Sequence, residues 1–149
     1  MIVTYLDTSA LVRLCVGEGD LGGLDEAMRG LPVTSVLAAV QLPVAIHARF
    51  QRGAIDADQR ELLLGIADRI MGSIGQVGLS LSVRREAVAS AAMHRLQTPD
   101  AIHLGTAVVV SRYQERRGNR LRFCTADRRQ ADAAAAHLGR ERVLVLDDS

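Results

Sequence analysis

Short apolar runs rich in β-branched residues alternate with amphipathic stretches along the whole chain, and this alternation limits the folds open to it. The runs MIVTYL, LPVTS, QVGLSL, LRFCTA and RVLVLD predict strands, and the segments between them have the residue pattern of α-helices. Strands that are separated by helices pair in parallel through right-handed crossovers. The sequence therefore predicts an α/β fold, a three-layer α/β/α sandwich with a mostly parallel central sheet.

Helices are expected between these strands, at 8–16, 21–30, 36–51, 56–72, 82–96, 98–113 and 127–139. Short polar side chains accept hydrogen bonds from the free N–H groups of a helix start, and the candidates for this role are Thr8, Ser9, Ser35, Ser82 and Thr98. Pro43 lacks an N–H and is expected to kink the third helix. The apolar face of the fourth helix is expected to contain Leu62, Leu63, Ile66 and Ile70.

Length and composition set broad limits on the protein. A chain of 149 residues suits one domain, residues 1–149. Aromatic residues make up only 3%, which argues against the base-stacking platform of single-strand binders. Cys15 and Cys124 lie in separate apolar runs and are expected to be small core residues. The start does not have the pattern of a signal peptide, and no apolar run approaches the roughly 20 residues of a membrane span. We therefore expect a cytoplasmic protein.

Three aspartates occupy positions where this fold places binding sites, namely the carboxyl ends of parallel strands and the starts of helices. Asp7 follows the first predicted strand, Asp127 follows LRFCTA, and Asp100 lies in the first turn of a predicted helix. Close carboxylates repel one another unless a cation lies between them, and oxygen ligands without Cys or His favour Mg²⁺ or Mn²⁺. Metal-assisted phosphodiester hydrolysis is one outcome of such a set. The alternative is that each aspartate only stabilises the start of a helix.

The basic residues are all arginine, and seven of the 18 lie between Arg112 and Arg129. Arginine binds phosphate through two hydrogen bonds. The segment therefore predicts either contacts with an RNA backbone, with Arg112, Arg116, Arg117 and Arg120 as candidates, or an ordinary solvated surface. The four histidines, by contrast, show no spacing typical of metal ligands.

Three segments, YLDTSALVRL, TPDAIHLGTA and FCTADRRQADAAAAHLG, resemble the signature segments of the PIN-domain family, in the family's order. The closest resemblance is to VapC-type toxins of bacterial toxin–antitoxin pairs, and it extends from residue 1 to about residue 146. The resemblance implies a metal-dependent endoribonuclease, a homodimer and a protein antitoxin that blocks the site. It matches three of the family's acids to Asp7, Asp100 and Asp127, and supporting polar positions to Ser9 and Thr125.

The second acid of the family is where this sequence departs from the pattern. In TSVLAAVQLPVAI, Gln41 occupies the position at which the family usually has Glu. Gln is nearly isosteric with Glu, but it is neutral. Two hypotheses follow: a ribonuclease toxin with Gln41 in the fourth site position, whose activity is impaired, or a catalytically silent member that binds RNA or an antitoxin. If the three aspartates did not converge, an unrelated phosphate-handling α/β domain would be favoured.

Overall fold

A central parallel β-sheet organises the computed structural model, which describes residues 1–17 and 21–146. Its strand order is β3-β2-β1-β4-β5, and every strand pair is parallel. The strands are β1 (Ile2–Leu6), β2 (Leu31–Ser35), β3 (Gly75–Val77), β4 (Arg120–Thr125) and β5 (Val143–Val145). The helices are α1 (Thr8–Val16), α2 (Leu21–Ala27), α3 (Ala38–Gln51), α4 (Ala57–Ser73), α5 (Leu81–His94), α6 (Thr98–Glu115) and α7 (Arg128–Leu138).

Two hydrophobic cores lie on opposite faces of this sheet, because successive side chains of a strand point to opposite sides. One core packs α1 to α4 on the sheet and contains Leu6, Leu11, Leu42, Ile46 and Cys124. The other packs α5, α6 and α7 and contains Val3, Tyr5, Leu104, Leu121 and Phe123. The predicted three-layer α/β/α sandwich is therefore confirmed. Cys15 and Cys124 are buried, as predicted, and no disulfide joins them to another described residue.

Several predicted helix caps are wrong by one or two residues. The cap of α1 is Asp7 rather than Thr8 or Ser9, and the cap of α5 is Ser80, which accepts from Val83 N, rather than Ser82. Gln97 precedes α6, so that Thr98 is already its first helical residue. A cap needs extended backbone angles as well as a short polar side chain, and where two such side chains stand close together the sequence does not show which has these angles.

Ser35 has a different role at the start of α3. Its Oγ accepts a hydrogen bond from Leu37 N at 3.1 Å, while the helix itself begins at Ala38. Pro43 lies inside this continuous helix.

Other predictions needed smaller corrections. Helix α2 ends at Ala27 and not at Gly30, and Leu62 is 61% exposed instead of sharing the buried face of α4. The buried positions of α4 are Ala67 and Met71, with Leu63, Ile66 and Ile70 packed beside the core. The third strand is shorter than predicted. The predicted fifth strand extended to residue 147, which lies outside the described residues.

The parallel sheet brings the carboxyl ends of β1 and β4 side by side, with Leu6 paired to Cys124. Helix α6 runs back along the sheet, because it ends shortly before β4 begins at the opposite, amino edge. Its first turn, with Asp100, therefore lies at the carboxyl edge, where Asp7 and Asp127 follow their strands. Within residues 1–17 and 21–146, no helix is long and apolar enough to span a bilayer.

Candidate acidic site

Asp7 is held in place by hydrogen bonds to both carboxylate oxygens. Its Oδ1 accepts from Ser9 Oγ at 2.6 Å and from Ala10 N at 3.1 Å, and its Oδ2 accepts from Thr125 Oγ1 at 2.5 Å. The residue is only 3% exposed. A buried carboxylate with this many donors has a fixed orientation, since each donor would lose its partner if the side chain turned.

The two hydroxyl groups also connect Asp7 to the turn that carries Asp127. Ser9 Oγ accepts from Ala126 N at 2.9 Å, and Thr125 Oγ1 accepts from Asp127 N at 3.1 Å. Each hydroxyl thus takes a backbone N–H from the turn after β4 and donates its own proton to Asp7. This arrangement sets the position of that turn relative to the first aspartate.

The pKa values of Asp7 and Asp100 are both raised, so their surroundings disfavour the negative charge. Burial raises the pKa of Asp7 to about 6, against the lowering effect of its hydrogen bonds and with a further upward contribution from Asp100. Burial also raises the pKa of Asp100, to which the charge of Asp127 adds, while Arg129 lowers it. Asp100 therefore interacts electrostatically with both of the other acids, so the three predicted aspartates lie near one another.

Asp127 is exposed, and its carboxylate caps α7. Its Oδ1 accepts from Arg129 N at 2.9 Å and from Gln130 N at 3.4 Å. Capping does not exclude this residue or Asp7 from an acidic site, because a carboxylate has about four acceptor positions and a helix cap uses only one or two of them.

Gln130 is a residue of this region that the sequence analysis missed. It is 1% exposed, and its Nε2 donates to the backbone oxygen of Asp100 at 2.8 Å. Its Oε1 is buried without a hydrogen-bond partner among the described residues. Gln130 joins the start of α7 to the start of α6 and so connects the segments of Asp127 and Asp100. No sequence signal identifies it, because a Gln in the first turn of a helix is ordinary.

Gln41 contacts Thr8, the residue after Asp7, in a separate and neutral hydrogen-bond network. Its Oε1 accepts from Thr8 Oγ1 at 2.5 Å and is 2.8 Å from His103 Nε2. His103 Nδ1 is 2.8 Å from the hydroxyl of Tyr5. Because an amide oxygen only accepts, Nε2 carries the proton and Nδ1 accepts from Tyr5. Burial lowers the pKa of His103 to about 4, so the ring is neutral at pH 7.

The donor set fits a hydrated Mg²⁺ or Mn²⁺ better than a fully protein-coordinated ion. Among the described residues, no three carboxylate, imidazole or thiolate groups are gathered as ligands of one metal ion. Mg²⁺ commonly keeps several waters and binds through one or two carboxylates. Asp100 and Asp127 suit this type of binding, because they are less buried than Asp7 and repel each other in the absence of a cation.

The candidate RNA-contacting arginines lie away from the acids. Arg112 pairs with Glu86, Arg117 lies over the ring of Tyr113, and Arg116 and Arg120 are exposed. Helix α6 has 18 residues and separates its two ends by about 27 Å. Since Arg120 pairs with Ile2 at the amino edge of the sheet, the structure does not bring this group together with the aspartates. Arg128 and Arg129, at the start of α7, lie beside them.

Comparison with solved structures identifies chains with the same architecture. No protein-family model matches the sequence, and no curated protein matches it. A protein from Pyrobaculum aerophilum, PAE2754, superposes with a TM-score of 0.65 and 15% identity, over 98% of this chain and 83% of that one. VapBC2 from Rickettsia felis, bound to a DNA fragment from its promoter, gives a TM-score of 0.60 and 10% identity over 84% and 87%.

A toxin–antitoxin complex from Klebsiella pneumoniae is also similar, with a TM-score of 0.54 and 20% identity over 83% of this chain and 86% of that one. At these identities the similarity concerns the fold. The chain therefore shares the fold of these three structures, which agrees with the fold implied by its resemblance to the PIN-domain family, and the three candidate aspartates lie at the carboxyl edge of the sheet.

Proposed function

We propose that this protein is a VapC-like toxin, an endoribonuclease that uses Mg²⁺ or Mn²⁺ to hydrolyse phosphodiester bonds of RNA. The observation that supports this most directly is Asp7. Its carboxylate is buried among three donors, and the charge of Asp100 acts on it. Burying a carboxylate next to other carboxylates costs stability, which is expected where the charge serves a chemical purpose.

In this proposal Asp7, Asp100 and Asp127 hold a hydrated metal ion together, with water between the ion and those carboxylates that do not reach it directly. The ion would activate water and neutralise the charge that develops on the phosphate. Ser9 and Thr125 keep Asp7 in one orientation, as their hydrogen bonds to its two oxygens indicate. Gln41 occupies the fourth position of the site, where it contributes an amide instead of a carboxylate and so leaves the metal with one counter-charge fewer.

The proposal includes a protein partner and a location. The Klebsiella structure is a toxin–antitoxin complex and the Rickettsia structure contains VapBC2. By analogy, a VapB-like antitoxin would bind this chain and block its site, and the toxin would form a homodimer in the cytoplasm.

A second candidate function is a catalytically silent PIN-type protein that binds RNA or an antitoxin without cleavage. Gln41 favours it, because the amide oxygen is already engaged by Thr8 and His103. Its network with Tyr5 is neutral, and a neutral group at this position contributes less to binding a cation.

Cleavage of a labelled model RNA distinguishes the two candidates. The toxin proposal predicts cleavage that requires Mg²⁺ or Mn²⁺, stops with a chelator and is lost in Asp100→Asn. The variant Gln41→Glu, which restores the family's acid, should cleave faster than the unmodified chain. Asp132→Asn is a suitable control, because Asp132 is an exposed partner of Arg140 and should leave the rate unchanged.

Each outcome supports one reading. Cleavage by Gln41→Glu alone, with RNA binding by both proteins, would identify the natural chain as the silent member. If neither protein cleaved or bound RNA with metal present, the toxin proposal would be wrong, and only the antitoxin-binding form of the silent candidate would be left.

A further inference from the structure

A pair of histidines joins α5 to α7, away from the candidate acids. His94 is the last residue of α5, and His137 lies in the last turn of α7. Their Nε2 atoms are 2.8 Å apart. The rings meet edge to face, with centroids 5.0 Å apart and an angle of 72° between their planes. The two imidazoles therefore direct the same nitrogen towards one point.

This contact can exist in only two ways. A hydrogen bond between two Nε2 atoms requires one to carry a proton and the other a lone pair, so at least one ring must be neutral. Alternatively, both nitrogens can present lone pairs to a shared cation. Imidazole nitrogen is a preferred ligand of Zn²⁺, Cu²⁺ and Ni²⁺ and a poor ligand of Mg²⁺.

We propose that His94 and His137 form a two-imidazole site for a divalent transition-metal ion, of the class represented by Zn²⁺, which links the end of α5 to the end of α7. The Zn–N bond is about 2.0–2.1 Å long, so two ligands of a tetrahedral ion lie about 3.3 Å apart. The observed 2.8 Å separation must open by about half an ångström. Such a change needs only small side-chain rotations.

The surroundings determine the coordination of this site. Among the described residues no third ligand joins the pair, so water would complete the coordination of the ion. Glu86 and Arg112 lie close enough to act on the charge of His137, in opposite directions. Because they pair with each other, the carboxylate does not serve as a ligand. Burial and the neighbouring His94 lower the pKa of His137, which keeps its lone pair available at neutral pH.

The test is a calorimetric titration of the full chain with ZnCl₂, in buffer that contains excess Mg²⁺ to occupy carboxylate sites. We expect one Zn²⁺ per chain. Binding should weaken at least tenfold in His94→Ala and equally in His137→Ala. His47→Ala is the matched control, since His47 is an exposed histidine of α3, and it should bind as the unmodified chain does. At a Zn²⁺ concentration about 100 times the Kd, the melting temperature should rise by roughly 5–10 °C.

A second variant separates loss of binding from loss of folding. His137→Gln keeps a donor that can reach His94 but removes the imidazole, so it should fold normally and lose Zn²⁺ binding. If Zn²⁺ binds this variant, or either alanine variant, as tightly as the unmodified chain, the proposed site is wrong. Absence of Zn²⁺ binding to the unmodified chain would overturn it as well. RNA cleavage does not enter this test, so its outcome is independent of the proposed nuclease.

Discussion

The carboxylate of Asp7 has two opposite effects on the stability of the fold. Its Oδ1 caps α1 through Ala10 N, whereas burial of its charge raises its pKa to about 6. The raised pKa means that the folded protein holds a proton on Asp7 more tightly than the unfolded chain does. The tighter binding of this proton therefore stabilises the folded protein fully below the unfolded pKa of 3.8. This stabilisation is lost as the pH rises through about 6.

We predict that Asp7→Asn stabilises the metal-free protein at pH 7. A pKa shift of about two units corresponds to about 3 kcal/mol. Asn can accept the bonds from Ser9 and Ala10 but not the one from Thr125, which offsets about 1 kcal/mol. Denaturant unfolding should then show a net gain of about 2 kcal/mol at pH 7 that disappears near pH 4. An equal loss of stability at both pH values would contradict this account.

A second prediction concerns Gln41, which hydrogen-bonds to neutral His103. In Gln41→Glu, a new carboxylate would be held by Thr8, the residue next to Asp7, and would add like charge near the three acids, which repels them. The variant should melt at a lower temperature than the unmodified chain without metal, and should show a larger upward shift when Mn²⁺ is added. If the Mn²⁺-induced shift is the same in both proteins, position 41 does not belong to the metal site.

The pH dependence of this variant provides an independent check. A carboxylate 2.8 Å from His103 Nε2 would raise the pKa of the imidazole from its present value of about 4. The ring would then become protonated and compensate the new charge. The destabilisation should therefore be greater at pH 8 than at pH 5.

At the scale of helices and strands, the sequence predicted which elements exist and their order more accurately than the residues at which they begin and end. The run TYLDTS allows Asp7, Thr8 or Ser9 to cap α1, and only the backbone angles select Asp7. The predicted burial of Leu62 in α4 was wrong, because helical periodicity alone does not show how wide the buried face of a helix is. Short strands such as β3 depend on their neighbours for pairing, and a single sequence contains little information about that.

The close packing of α5 on α6 depends on a glycine that the sequence analysis did not identify. A Cβ on Gly105 of α6 would lie 2.5 Å from Ala87 N and 2.8 Å from its Cα in α5. These are backbone atoms and cannot yield without moving the helix. Gly105→Ala should therefore destabilise the protein by about 2 kcal/mol or more, as overpacking does.

Gly65, inside α4, is the matched control. A Cβ there would meet nothing within 4 Å, and Ala is the better helix former by about 1 kcal/mol. Gly65→Ala should thus raise the melting temperature while Gly105→Ala lowers it. If both changes stabilised the protein, the close packing of α5 on α6 would be disproved.

At the scale of the whole molecule, the sheet decides which predicted residues meet. The sequence predicted that Asp7 and Asp127 follow strands, but it did not contain the information that β1 and β4 are neighbours. The same order places the arginines near residues 112–120 at the opposite edge from the acids. The clustering of arginines in the sequence thus predicted a local concentration of positive charge. The direction of α6 determined the distance between these arginines and the aspartates.

The last prediction uses this separation. If Arg116, Arg117 and Arg120 bind RNA phosphates, the affinity for a long RNA should fall steeply with salt, with a slope in log–log form of roughly −0.7 per neutralised phosphate. Replacing the three arginines with alanine should flatten this slope for a long RNA. It should not change the slope for an oligonucleotide too short to extend from the acids along the roughly 27 Å of α6.

Fluorescence anisotropy at several salt concentrations, with both RNA lengths, measures these slopes. Arg140→Ala is an appropriate control, because Arg140 is exposed and paired with Asp132. An unchanged slope for the long RNA would show that the amino-edge arginines are an ordinary solvated surface. A slope that changed equally for both lengths would mean that RNA binds at the amino edge alone, and the acids would then need a different substrate path.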